Sequence, residues 1–568
     1  MFKPCIAVLF CCVTLCAAPP VDQDKRCAKE RDTLQNCMCR KSFPTSLNVE
    51  KPTEECKEKK KAMYNWSKCR GAEGYLSRRC GVMRNTKDIP DYYQMGPGTL
   101  KIPNALFKDN RKRICDRLVS KNVPRGAVML FEGGIQEQQY DTDRDIEFQQ
   151  ESYFMWLFGV MEADFYGAVD VDNCESILFM PRLPASYAVW MGELKTPEYF
   201  KTRYGVDRVH YSDEIVTILN QLRPSALLIM DGTNSDSKSH FQAPSFEGMD
   251  QFKVDTTTLY NEIADCRVQK SPGEMEIMRY VNEVSCEAHK EVMKMMKPGR
   301  MEYEGEATFK HYAYMKGGMR FVGYTCICAS GQNAAVLHYG HAAEPNDKRV
   351  NNGDMLLYDM GAEYAGYTAD ITASFPANGR FTESQKFVYN TCLKANRAVL
   401  AAMRPGVSWP DMHRLAEKTI VEEFIKEGLL VNGTVEEMTE AYMGAIFMPH
   451  GLGHLIGLDV HDVGGYVNAP PRIQEPGIKY LRTTRNLEEG MVITVEPGVY
   501  FGDALIEAAY ANPDQAKYMN KEKIEPYRGT GGVRIEDGVA VTADGTELLS
   551  HNIPRTVEEI EEFMNRSN

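Results

Sequence analysis

Ser271-Pro272-Gly273-Glu274, running on through Ile277, Val281, Val284, Ala288, Val292 and Met295 to Met296-Lys297-Pro298-Gly299, decides how this chain is built. Ser271 offers an N-cap oxygen, Pro272 takes the first helical position where its missing N–H costs nothing, and Glu274 completes a capping box. The apolar residues recur at three- and four-residue steps, as one buried stripe of a helix does. Pro298-Gly299 stops it. The pattern returns at Thr382-Glu383-Ser384-Gln385, whose helix stops at Met403-Arg404-Pro405-Gly406. Each helix leads to a second helical segment and then to a histidine-bearing stretch. These are His338-Tyr339-Gly340-His341 in one half and His450-Gly451-Leu452-Gly453-His454 in the other. Such a repeat predicts two related halves, with a site between them that draws on both.

Upstream, from about Tyr92, the texture is α/β. A helical pattern over 105–118 leads through Pro124-Arg125-Gly126 to a strand candidate at 127–131. Further short apolar runs lie at 166–171, 177–180 and 226–230, as in a buried sheet with covering helices. No glycine-rich phosphate loop follows any of them, and this region carries no evident chemistry of its own. The expected division is 92–265 for this domain and 266–560 for the repeated one.

The first residues read differently. Lys3 precedes an apolar run from Cys5 to Cys16 that ends in Ala17 and Ala18, the order of a secretory signal over 1–18. A membrane span needs about 20 apolar residues, so this run is too short for one. Residues 19–91 hold Cys27, Cys37, Cys39, Cys56, Cys69 and Cys80, an even set that reads as a small disulfide framework. Sequons stand at Asn65-Trp66-Ser67 and Asn432-Gly433-Thr434. Together these predict a secreted product. The lysines and arginines of the six-Cys segment leave room for an anionic partner, against the plainer reading of a solvated, stapled appendage. The later cysteines, Cys115, Cys174, Cys266, Cys286, Cys326, Cys328 and Cys392, are odd in number and widely spread, like small buried hydrophobes.

With 568 residues there is material for more than one domain. The 43% hydrophobic and 26% charged content is that of a soluble globular chain, and a net charge of −13 argues against a nucleic-acid footprint.

The chemistry gathers in four clusters. Asp359 and Asp370 each end or interrupt an apolar, strand-like run, where an acid is seldom buried unless paired or metal-bound. His450, His454 and His461 are interleaved with glycines that let backbone approach a ligand closely. Glu496 and Glu536 each sit inside a β-branched run. Four carboxylates, one imidazole and no thiolate form a hard donor set suited to manganese first, with cobalt or zinc compatible. Four negative charges in one pocket repel, and two divalent cations balance them in number. Such a pair, roughly 3.5–4 Å apart, lowers the pKa of a bridging water and clamps a scissile carbonyl.

The order Asp, Asp, His, Glu, Glu, set in Met448-Pro449-His450-Gly451-Leu452-Gly453-His454, Val495-Glu496-Pro497-Gly498 and Gly531-Gly532-Val533-Arg534-Ile535-Glu536-Asp537, resembles the pita-bread metallopeptidases, and among them the prolidases. The similarity runs from about Tyr92 to Arg555 and takes in stretches without catalytic duty, such as 179–186 and 555–560. It implies an α/β N-terminal domain of the aminopeptidase P and prolidase type. An α+β pita-bread catalytic domain with an internal pseudo-twofold repeat follows it, and a homodimer is implied as well. It also implies that Asp370 and Glu536 bridge two metals, that Asp359 completes one shell, and that His454 and Glu496 complete the other. Glu496 becomes the proton shuttle, while His338 and His461 position the scissile carbonyl and the developing oxyanion. His450 and Arg534 stand in support. Arg482 matches the arginine that holds a dipeptide's terminal carboxylate, which favours an Xaa-Pro dipeptidase over an aminopeptidase P acting on longer chains. A pita-bread fold kept only for binding is the rival of another class. Enzymes of this kind are usually cytosolic and lack both the leader and the six-Cys segment, so the resemblance departs there.

Overall fold

Strand formation in the first part of the chain follows its apolar runs. The computed structural model describes residues 89–341 and 345–566, so the leader, the six clustered cysteines and the Asn65 sequon lie outside the described residues. Six strands form one mixed sheet: β1 (Ala127–Glu132), β2 (Tyr166–Asp170), β3 (Ser176–Met180), β4 (Arg208–Tyr211), β5 (Ala226–Leu228) and β6 (Val254–Asp255). Their order across the sheet is β4-β3-β2-β1-β5-β6. The four strands with apolar runs are the inner ones. The two that the sequence does not announce, β4 and β6, are the edges, half-buried throughout and free of the need for an apolar run.

After β5 the chain forms a short hairpin-like loop, with Thr233 bridged to His240. Asn234 Oδ1 accepts from the backbone N–H of both Asp236 and Ser237 at 2.9 Å, which holds the loop tip. A helix over Leu259–Val268 then straddles the expected boundary at 265/266.

Helix α1 (Pro272–Met295) starts with the expected box: Ser271 Oγ accepts from Glu274 N, and Glu274 Oε2 accepts from Ser271 N at 2.8 Å. Glu274 does more than cap. It pairs with Arg113 at 2.8 Å and accepts from Trp156 Nε1 and Tyr367 Oη at 2.9 Å, so one carboxylate joins three elements. The buried face is wider than the expected stripe. Met278, Cys286, His289 and Met293 are buried, while Val284 and Met295 are half-buried. A helix packed on two sides needs more than one line of apolar residues. α2 (Glu302–Gly317) packs against α1. The second half repeats the scheme, with Thr382 and Gln385 boxing α3 (Glu383–Ala402), followed by α4 (Trp409–Glu427).

Behind each helix pair lies a three-stranded antiparallel sheet. One consists of β7 (Ile327–Ser330), β8 (Met355–Asp359) and β9 (Thr372–Pro376); the other of β10 (Val492–Val495), β13 (Asp537–Val541) and β14 (Thr546–Leu548). Between β10 and β13 in sequence, β11 (Gly498–Tyr500) pairs with β12 (Gly532–Arg534). Six of the seven cysteines in this body are buried and Cys174 is half-buried. Among the described residues no helix is long and apolar enough to cross a membrane.

Candidate metal and peptide site

Strand register brings the acids together. Asp359 is the last residue of β8 and faces Thr372 of β9, with Asp370 two residues before Thr372. In the other sheet Val495 faces Asp537, so Glu496 and Glu536 flank the paired end. Strand β9 is stitched to the segment from β12 to the start of β13: Ser374 Oγ donates to Arg534 O at 2.9 Å, and Glu536 N donates to Thr372 O at 3.3 Å. His454 is laid alongside β10, its N–H donating to Thr494 Oγ1 at 3.0 Å and its C=O accepting from Thr494 N at 2.9 Å.

The side chains then converge. His454 Nε2 lies 3.3 Å from Asp370 Oδ2 and 3.5 Å from Glu496 Oε1. Asp370, His454 and Glu536 each offer a ligand atom within 4.8 Å of the other two, and all three are buried. Asp359 and Glu496 stand outside that trio but touch its surroundings. Arg534 Nη2 donates to Asp359 Oδ2 at 2.6 Å, its Nε donates to Thr372 Oγ1 at 3.0 Å, and Thr372 Oγ1 donates to Glu536 Oε2 at 2.7 Å.

Electrostatics are severe here. Burial, reinforced by Asp370, Glu496 and Asp359, pushes the Glu536 carboxyl well above the usual range. Burial lifts Glu496 to about 7 despite His454, and Asp359 to about 6 despite Arg534. Asp370 goes the other way: burial opposes its charge, but the bond from His454 and the His454 charge outweigh it. Four acids with only Arg534 and His454 to offset them are short of positive charge. Oxygen-rich, buried and mutually repelling, the set fits divalent cations.

His461 and His338 face the open cavity of about 1290 Å³ that the acids line. Desolvation by the surrounding wall, with His454 and Arg482, pushes the His461 imidazole down to about 2, although the ring still opens to the cavity. His454 and His461 meet edge to face, ring centroids 4.5 Å apart. His450 Nδ1 donates to Gly451 O at 2.8 Å and lies 4.0 Å from Glu496 Oε2. Arg482 is half-buried on the cavity wall.

Several contributors escape the sequence reading. Tyr324 Oη donates to Asp359 Oδ1 at 2.6 Å, and nothing around Tyr324 in the chain signals it. Thr372 and Thr494 were legible in principle: each lies two residues from an acid of the site, on the same face of an extended chain. Arg555 sits in a stretch without expected catalytic duty. Yet its guanidinium pairs with Asp537 at 2.6 Å and donates to the backbone oxygens of Thr372, at 2.7 Å, and Glu536, at 2.5 Å. Both partners of the ion pair are buried. Arg555→Ala is expected to cost about 3–5 kcal/mol of stability by stranding Asp537, read as a lowered midpoint in denaturant; a loss under about 1 kcal/mol would refute the clamp.

Comparison with known proteins bears on the family of the chain as a whole. The family model for metallopeptidase family M24 matches residues 276–543, and that for the aminopeptidase P N-terminal domain matches 107–228. The Xaa-Pro dipeptidase of Homo sapiens is 53% identical over 474 residues, covering 83% of this chain and 96% of that enzyme. Among solved structures, the aminopeptidase PepP of Pseudomonas aeruginosa superposes with a TM-score of 0.67 at 29% identity, covering 82% of this chain and 99% of that one. Zinc-substituted aminopeptidase P of Escherichia coli in complex with product gives 0.66 at 27%, covering 82% and 99%.

The expectation of a secreted product is overturned by these relatives. The human enzyme is matched over almost its whole length by 474 residues, which leaves too little for a counterpart of residues 1–91. Signal, secretion and disulfide framework therefore draw nothing from the relatives. The Asn432 sequon loses its context too, and its side chain is already engaged, Nδ2 donating to Lys517 O at 3.0 Å. What remains is a body matched to the human enzyme over 83% of the chain and to the family model over residues 276–543: the chain belongs to metallopeptidase family M24.

Proposed function

We propose that this chain hydrolyses Xaa-Pro dipeptides. The observation that carries the reading is the convergence of Asp359, Asp370, His454, Glu496 and Glu536 at the matched ends of two sheets, in a cavity that Arg482 also lines. The likeness to the human Xaa-Pro dipeptidase over most of the chain supports it.

The five side chains would hold two divalent cations, manganese first, with cobalt or zinc compatible; Asp370 and Glu536 would serve both ions. When bound, the cations supply activation of a water and polarisation of the scissile carbonyl. The chain's own residues do the rest. Glu496 is the most exposed of the four acids, its side chain 17% accessible against 10% for Asp359 and 7% for Asp370, with Glu536 buried. It is the carboxylate able to take a proton from the attacking water and return one to the leaving nitrogen. The leaving proline nitrogen needs that proton, because an amide anion is too basic to depart unprotonated. His461 and His338, both lining the cavity, orient the scissile carbonyl and the developing oxyanion. Arg534 holds Asp359 in place, and His450 backs Glu496. Arg482 receives the terminal carboxylate. A homodimer stays part of this reading on the strength of the resemblance alone.

The runner-up is removal of the N-terminal residue from longer Xaa-Pro peptides, favoured by the structural likeness to aminopeptidases P. A manganese-loaded assay of Gly-Pro beside Gly-Pro-Gly separates the two: turnover of the tripeptide alone would hand the site to the runner-up. Chelation is expected to abolish turnover and lower the thermal midpoint, since a ligand at 100 times its Kd stabilises by about 2.7 kcal/mol. An unchanged midpoint and unchanged activity after metal removal would sink the metal centre.

A further inference from the structure

We propose that Asp236 sets the length of the substrate. From the tip of the loop after β5 it fixes Arg472 and Arg482 as a partition that accepts a chain ending one residue past the scissile bond and turns longer ones away. This rests on the dipeptidase reading and deepens it.

Two cavities meet at this point. The catalytic one, about 1290 Å³, and a second of about 1060 Å³ share four lining residues: Asp236, Val460, His461 and Arg482. His461 belongs to the reacting end, so Asp236 and Arg482 form the wall beyond it. Arg472 stiffens that wall. Its Nη2 donates to Asp236 Oδ1 at 2.5 Å, its Nη1 donates to Leu481 O at 2.5 Å and to Lys479 O at 3.1 Å, and its guanidinium lies over the Tyr466 ring at 4.4 Å. Tyr466 Oη also donates to Leu481 O, at 2.6 Å. Gly465 approaches so closely that a Cβ there would stand 2.2 Å from Arg482 O. The backbone that carries Arg482 is thus pinned from three sides.

The guanidinium of Arg482 is not. Its carboxylate neighbour among the described residues is Asp236 Oδ1 at 3.9 Å, too long for a hydrogen bond. Asp236 therefore aims Arg482 without occupying it, spending its own bond on Arg472. Two guanidiniums around one carboxylate leave a surplus positive charge at the wall. A dipeptide's terminal carboxylate balances it. A tripeptide brings a neutral amide to the same spot, and its third residue must run through the space held by the Asp236–Arg472 pair.

Asp236 is thus a positioning residue from one domain that sets specificity in the other. The test compares Gly-Pro with Gly-Pro-Gly on the manganese-loaded full chain. In Asp236→Ala the ratio of kcat/KM for dipeptide over tripeptide is expected to fall by about 10-fold or more, the size of one charge-assisted bond. The loss appears as a raised KM for Gly-Pro, with kcat kept within about 3-fold. Asp236→Asn, which keeps an oxygen for Arg472, is expected to shift the ratio in the same direction by about 3-fold, and it stands in if the alanine variant does not fold. A ratio unchanged in both folded variants overturns the proposal. Arg482→Ala separates the two failures. If it discriminates between the peptides while the Asp236 variants do not, the partition alone is wrong; if it harms both equally, the carboxylate anchor is wrong.

Discussion

Glu496→Gln is expected to lower kcat for Gly-Pro by on the order of 10²–10⁴-fold while KM stays within about 3-fold, the range for losing a positioned proton carrier. The amide has the carboxylate's shape and keeps an oxygen toward Thr494 Oγ1, 3.3 Å away. It cannot hold and release a proton. Metal content measured on the same preparation tells the two roles of Glu496 apart: a variant that retains its metals and still fails has lost proton transfer. Asp370→Asn should be at least as damaging. It removes the charge facing His454, so loss of metal and loss of turnover are expected together. Near-normal turnover in either variant would remove the assigned site.

Arg482→Ala should raise KM for Gly-Pro by about 10–100-fold, the equivalent of about 1.5–3 kcal/mol for a bond to a charged group. Gly-Pro-Gly, with no carboxylate at that position, should lose far less. Arg482 has no tight acceptor of its own among the described residues, so its removal strands no internal charge and the folded state should be little changed. A large drop in thermal midpoint would mean that the arginine serves structure instead. An equal loss on both peptides would end its role as an anchor.

The catalytic residues were legible because their chemistry conflicts with their surroundings. Asp359 and Asp370 stand in apolar, strand-like runs and Glu496 and Glu536 in β-branched ones, and it is the four acids taken together that demand an explanation. The capped helices were legible from the chain alone, since a capping box is a local device whose partners lie within three residues. What could not be read has its cause in distance along the chain. Tyr324 reaches Asp359 across 35 residues, Arg472 reaches Asp236 across 236, and Arg555 reaches Thr372 across 183. None of these carries a local signature, because an arginine or tyrosine is unremarked until its partner is known. The edge strands β4 and β6 were missed for the opposite reason, being too ordinary in composition to declare themselves. The expectation of secretion rested on a basic, then apolar, then small-residue order, a short pattern with little information in it that finds no counterpart in the 474 residues aligned with the human enzyme.

Because the acids owe their meeting to the pairings Asp359 with Thr372 and Val495 with Asp537, the site is sensitive to length rather than to composition. Inserting a single residue into β8, β9, β10 or β13 would turn every following side chain in that strand to the opposite face and swing a carboxylate out of the pocket. No rotamer change could restore it. Lengthening the connections outside those strands leaves the pairings untouched. Insertions and deletions should therefore accumulate in the loops of this catalytic body and be purged from the four strands, even where the strand residues themselves are free to vary.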